Sequence, residues 1–349
     1  MSRTDTTAPE RTGSGPLRQR RSLAARLLAV RELSLLIALG VLILVTTVRN
    51  DRFLTGQSVK DLLLGCAILV ILAVGQTLVI ITRNVDLSVG SILGLVAFGT
   101  GELFLAAPGT PWPLALLLGV ALGGLCGMVN GGLIAVAKVP ALVITLGTLY
   151  AFRGIDYYWA SGRQINAADM PRSFLRLGNQ AVLGVPVLFL VALAVVGAVG
   201  FHLRSYRSGR ELYAIGSEPT AARLSGIPVG RRVFTVFVAN GALAGLAGVL
   251  YAARFGTLDA AAGTGLELQV VAAAVVGGVA IFGGSGSAYG AALGAVLLTT
   301  IGSALAVLRI DPFWQQAVVG ALILAAIGLD RLLALRTATR LRGRSTHGA

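Results

Sequence analysis

Apolar runs of membrane-spanning length follow one another from residue 33 to residue 329, separated by short charged or glycine-rich breaks. A helix needs about 20 mainly apolar residues to cross about 30 Å of hydrocarbon. The runs fall at 33–48, 62–82, 88–107, 114–137, 139–152, 181–203, 233–253 and 314–329, and 270–307 is long enough for two crossings around FGGSGSAYG at 282–290. Pro140 opens the short run 139–152, which suits a helix start or a discontinuous span. The count is ten, and the fold class is an all-α polytopic membrane protein with both termini on one side.

Composition agrees. Only 13% of residues are charged and 55% are apolar, against about a quarter charged in a soluble domain, so a soluble enzyme is excluded. The 46 glycines predict helices packed backbone to backbone. The net charge of +14 would suit nucleic acid only on a water-exposed basic face, whereas the arginines border apolar runs. Of the 29 basic residues, 20 fall on the side of the termini: seven before Leu33, Arg83, Lys138, six in 204–232 and five after Leu329. That excess predicts cytoplasmic termini. Cys66 and Cys126 lie inside apolar runs, as small packing residues.

The chain divides into a cytoplasmic N-terminal tail (1–32), a transmembrane domain (33–329) and a cytoplasmic C-terminal tail (330–349). The opening segment shows no secretory signal. The stretch LRQRRSLAARLLAVRE (17–32) reads either as an interfacial helix or as a positive flank that orients the first span.

Chemistry is sparse. His202 and His347 have no partner at ligand spacing, and with Lys60 and Lys138 as the only lysines there is no phosphate-binding loop. No catalytic residue and no metal site emerges, and no cofactor is expected on this chain. Gln76, Asn130 and Asn240 are isolated polar groups within spans, suited either to hydrogen bonding between helices or to lining a solute path. Glu102, near the outer end of its run, is placed to reach water. In the turn RNVDLSVGS (83–91), Arg83 and Asp86 are spaced to pair, and Asp86 with Ser88 can cap the next helix. Sliding the chain by 200 residues brings Ile81, Gly90 and Gly94 onto Ile281, Gly290 and Gly294, a weak sign of related halves.

The segment 209–232 (GRELYAIGSEPTAARLSGIPVGRR) predicts a short cytoplasmic helix with Ser217 as cap and Pro219 in the first turn. Ala221, Ala222, Leu224 and Ile227 fall near one face, and Gly226 and Pro228 end the helix. Standing clear of the membrane, it suits docking to another protein.

Four blocks in order, GQTLVIITRNVDLSVGSILGL (75–95), VPALVITLGTLYAFRGI (139–155), GRELYAIGSEPTAARLSGIPV (209–229) and AAAVVGGVAIFGGSGSAYGAALGAVLL (272–298), resemble those of ribose-type ABC sugar permeases, part of the branched-chain amino acid and monosaccharide superfamily. The resemblance implies a bacterial inner-membrane subunit that pairs with an identical or related permease. It also implies a separate ATPase, which carries ATP and Mg, and a periplasmic or lipid-tethered sugar-binding protein. Glu218, Ala221, Ala222, Arg223 and Gly226 match the family's ATPase-coupling block, and Arg83, Asp86, Ser88 and Gly90 match the block after the second span, which has no settled chemical role. The loop GRQINAADMP (162–171) resembles the rhamnose branch, related to autoinducer-2 permeases, so the expected cargo is a monosaccharide such as rhamnose, moved by alternating access. The alternatives are a stand-alone secondary carrier and, more distantly, a membrane enzyme.

Overall fold

The computed structural model describes residues 31–137, 139–311, 313, 314, 316–318, 320, 321 and 324. Residues 1–30 of the N-terminal tail, Lys138, most of the run 314–329 and the C-terminal tail lie outside these residues, while Arg31 and Glu32 open the first helix. The described chain forms twelve helices: α1 (Arg31–Arg49), α2 (Gly56–Ile81), α3 (Val89–Ala106), α4 (Trp112–Ala137), α5 (Ala141–Ala160), α6 (Arg172–Asn179), α7 (Val187–Ser205), α8 (Arg207–Ser217), α9 (Pro219–Leu224), α10 (Val229–Phe255), α11 (Leu266–Val276) and α12 (Ala288–Val307). Seven of them (α1, α2, α3, α4, α7, α10 and α12) are long and apolar enough to cross a membrane.

The boundaries differ from the sequence reading in instructive places. Helix α2 starts at Gly56 because the Thr55 side chain accepts the Ser58 N–H as an N-cap. Helix α5 continues to Ala160, since Arg153 and Asp156 are buried inside it and do not mark its end. The expected run 181–203 opens with a two-stranded hairpin, β1 (Ala181–Val182) against β2 (Val185–Pro186), whose turn places Leu183 and Gly184 at positive φ. The second half of the chain departs most. Helix α11 has 11 residues, about 16 Å of helix, and irregular segments at 256–265 and 277–287 flank it.

From Leu62 to Ile81 helix α2 is apolar all round apart from Gln76 and Thr77, and this part is almost wholly buried at the centre, where such a helix belongs. Glycines make the closest seam. A Cβ on Gly123 of α4 would lie 2.6 Å from Gly245 Cα of α10, and one on Gly241 would lie 2.8 Å from Gly127 Cα. Gly119, Gly123 and Gly127 therefore face Gly241 and Gly245 at four-residue spacing, and the two backbones touch as glycine-rich membrane helices do. Cys66 and Cys126 are free and buried.

Two rims follow from the contacts. On one, the turn 82–88, the α8–α9 hairpin, the loop 277–287 and the start of α1 meet, with Ser287 Oγ donating to Glu32 Oε1 at 3.3 Å. On the other, Asn50 donates to the Val307 carbonyl at 3.2 Å, and Ile165 pairs with Leu258.

Candidate functional site

A buried polar centre forms where the turn after α2 folds back into the bundle. Asp86 is fully buried. Its Oδ1 accepts the Ser88 N–H at 2.9 Å and the Ser88 hydroxyl at 2.6 Å, and its Oδ2 accepts Asn240 Nδ2 at 2.9 Å. Asn130 Nδ2 donates to Ser88 Oγ at 2.8 Å, and Asn240 Nδ2 reaches Gln76 Oε1 at 3.4 Å. Three residues distant in sequence, Gln76 on α2, Asn130 on α4 and Asn240 on α10, thus converge on Asp86, and all are closed off from solvent. Thr145 Oγ1, donating to the Val85 carbonyl at 3.1 Å, ties α5 to the same turn.

The expected Arg83–Asp86 ion pair does not form. Arg83 takes a positive φ of 64°, which turns its side chain out of the bundle while Asp86 turns in. Its Nε and Nη2 donate to the carbonyls of Gly216 and Ser217, where the last turn of α8 leaves acceptors free. Asp86 does serve the start of α3 by accepting the Ser88 N–H. Gly90, in the first turn of α3, lies against the start of α11, where a Cβ would come within 2.6 Å of the Gly263 carbonyl.

The rim hairpin has a fixed root and a free tip. Gly216 has no room for a side chain, since a Cβ there would strike the Ile81 carbonyl and Gly284. Gly284 N–H donates to that same carbonyl at 2.9 Å, and Tyr213 Oη donates to the Gly286 carbonyl at 2.9 Å. Glu211 accepts from Arg232 at 2.6 Å and from Arg207 at 2.9 Å. The Arg232 hydrogen bond, opposed by desolvation and helped by Arg207, holds the Glu211 carboxyl below the usual carboxylate range. The segment 209–232 is therefore not clear of its own chain: α8 is packed into it, and only α9 stands out.

Ser217 is not the cap; it ends α8, and Glu218 caps α9 by accepting the Thr220 N–H at 3.2 Å, with Pro219 at the first position. On α9, Ala222 is buried while Ala221, Arg223 and Leu224 are exposed, Leu224 at 86%. Gly226 at φ +79° closes the helix, with Ile227 N–H donating to the Ala222 carbonyl and Gly226 N–H to the Arg223 carbonyl, the paired bonds of a Schellman end.

Glu102 is partly buried and ion-paired at 3.0 Å with Arg163 of the loop after α5. The sequence reading passed over Arg153 and Asp156. Arg153 Nη1 donates to the carbonyls of Ala260 and Ala262 at 2.9 and 2.6 Å, and Asp156 is fully buried beside it. The usable signal was an Arg and an Asp three residues apart directly after an apolar run.

Residues 58–327 match the family described as "Branched-chain amino acid transport system / permease component". The chain is 37% identical over 304 residues to the "Autoinducer 2 import system permease protein LsrC" of Enterobacter sp. (strain 638), covering 87% of this chain and 88% of that one. The protein of the same name from Escherichia coli (strain K12 / DH10B) is 37% identical over 300 residues, covering 86% of both. That of Klebsiella pneumoniae subsp. pneumoniae is 37% identical over 304 residues, covering 87% of both. No solved structure matches. Autoinducer 2 stands in these names and rhamnose does not. With its bundle of apolar helices and its match over most of its length, the chain belongs to the branched-chain amino acid transport system permease family and is a multi-pass inner-membrane subunit of the ribose-type, sugar-importing ABC kind, a transport protein and not an enzyme.

Proposed function

We propose that this chain forms, with a second permease, the pathway through which an ABC importer brings autoinducer 2 or a closely similar polyhydroxylated solute into the cell. The substrate reading rests on the names of the relatives. The working cycle rests on one observation: a hairpin rooted in the bundle through Arg83, Gly216 and Tyr213, with an exposed tip at α9. Ten spans, with both termini and this hairpin in the cytoplasm, accommodate the described helices when α5 and α11 with its irregular flanks each count as one crossing. Glu218, Ala221, Arg223 and Gly226 then meet a separate ATPase that carries ATP and Mg, with Ala222 anchoring the tip. A binding protein delivers solute to the opposite rim, and selection rests mainly with it.

In this reading Gln76, Asn130 and Asn240 border the path, which the bonds of Asn240 to Asp86 and Gln76 and of Asn130 to Ser88 hold shut in the conformation described. Tyr150, Tyr157 and Tyr158, exposed on α5 at 70%, 52% and 88%, make that helix a poor lipid face and a good one for a second permease. The test is reconstitution with the candidate ATPase and binding protein in vesicles. Uptake of autoinducer 2 that requires ATP and all components supports the reading; uptake by this chain alone, driven by an ion gradient, overturns it.

A further inference from the structure

The segment 256–265 is non-helical yet runs beside a membrane-spanning helix. Leu258 exchanges backbone hydrogen bonds of 2.9 Å with Ile165, and its Cδ1 would lie 3.0 Å from a Cβ on Gly101 of α3. Deeper along α3, a Cβ on Gly94 would strike the Ala262 carbonyl, and one on Gly90 would come within 2.6 Å of the Gly263 carbonyl. From Gly101 to Gly90 is about 16 Å of helix, roughly half the hydrocarbon thickness.

Along this descent Thr257, Asp259 and Ala261 are exposed, while Leu258, Ala260 and Ala262 are buried; beyond Asp259 the chain turns tightly, with Ala262 N–H donating to the Asp259 carbonyl and Thr264 N–H to that of Ala261. Non-helical backbone at membrane depth persists only against protein or a water-filled cavity. The exposed face borders a cavity lined by Tyr157, Ala160, Arg163, Gln164, Asp259 and Ala261, among others.

Behind this wall, beside the Arg153 guanidinium, lies a carboxylate that accepts no hydrogen bond from any described residue. It belongs to Asp156, which is 0% exposed. Gly94 makes its room: a Cβ there would lie 3.2 Å from Asp156 Oδ2 and 2.8 Å from Arg153 Nη1. Arg153 directs its hydrogen bonds to the carbonyls of Ala260 and Ala262, fastening the segment over the carboxylate. An ionisable side chain in a membrane bundle is costly to keep, and this one does not secure the fold through any hydrogen bond.

We propose that Asp156 is a hydroxyl-binding residue on the solute path, reached when the segment 257–263 lifts from α5, with Arg153 as the positioning residue that latches that cover. The ligand class is a polyhydroxylated neutral solute, whose O–H groups match the two free acceptor oxygens. The inference rests on the transport reading above.

The test uses the complete transporter, ATPase and binding protein included. Asp156→Asn keeps size and burial but replaces one acceptor oxygen with a donor. Uptake of autoinducer 2 per ATP hydrolysed is expected to fall about tenfold or more, the cost of one charge-assisted hydrogen bond, while stimulation of the ATPase by loaded binding protein persists. Unchanged uptake per ATP overturns the proposal.

Should that variant fail to assemble, wild-type transporter is treated with a hydrophobic carbodiimide and labelling at Asp156 is read by mass spectrometry. Labelling during ATP hydrolysis that autoinducer 2 slows relative to hydrolysis without solute supports the site, and labelling equal with and without solute overturns it. If wild type does not import autoinducer 2, the substrate reading fails separately. Labelling is then repeated with D-ribose, and equal labelling with both solutes overturns the inference.

Discussion

Arg83 donates two hydrogen bonds to the C-terminal carbonyls of α8, at Gly216 and Ser217, and so joins the turn that holds Asp86 to the root of the rim hairpin. Three residues separate a surface guanidinium from a buried carboxylate. Displacement of the hairpin therefore reaches the polar centre through one short stretch of backbone.

Arg83→Gln is expected to uncouple the transporter. Reconstituted complexes should still bind and hydrolyse ATP, while solute uptake falls about tenfold, as expected for loss of charge-assisted bonds. Parallel assays of hydrolysis and uptake check this; equal loss of both would place Arg83 in assembly instead.

Asp86→Ala leaves the Ser88 hydroxyl and the Asn240 amide without their acceptor in the interior. Orphaned buried donors cost about 1–3 kcal/mol each, so the thermal midpoint in detergent should drop clearly. A midpoint within a degree of wild type would contradict the network.

Gly226→Val should impair coupling with little effect on insertion. A Cβ there meets nothing within 4 Å, so the penalty comes from the left-handed backbone, about 1–2 kcal/mol for a residue with a side chain and more for a β-branched one. Normal uptake by this variant would count against docking through α9.

Glu211 supplies a pH signature. Its folded carboxyl titrates below the unfolded one because Arg232 and Arg207 hydrogen-bond to it. Its contribution is thus present above the unfolded value of about 4.3 and is lost as pH falls through the lower folded value. Protease protection of the hairpin should weaken in that acidic window, and Glu211→Gln should remove the step.

Gly123→Val tests the glycine seam. The new side chain would have to displace the backbone of α10 at Gly241 and Gly245, and the variant should fail to give monodisperse protein after extraction. Substitution of Gly132, whose Cβ would meet nothing within 4 Å, is the control and should be tolerated.

Helix positions were legible because apolar length is a strong signal, and the rim hairpin because Pro219 and Gly226 punctuate it. Asp86 was misread for a physical reason: sequence spacing cannot tell that a positive φ at Arg83 sends two neighbours to opposite sides. Arg153 and Asp156 escape a hydropathy reading because charge directly after an apolar run ordinarily lies outside the span, whereas here Gly94 on α3 makes room for both. The shift of 200 residues did find comparable positions. Gly90 and Gly94 admit the backbone at 262–263, just before α11, and Gly290 and Gly294 admit that of Ala273 and Gly277, at its end.

The seam between α4 and α10 leaves no slack for either helix to slide, and so the two must travel as a single block. Under the proposed transport cycle, movement of one part of the bundle against another would then fall at other contacts than this one.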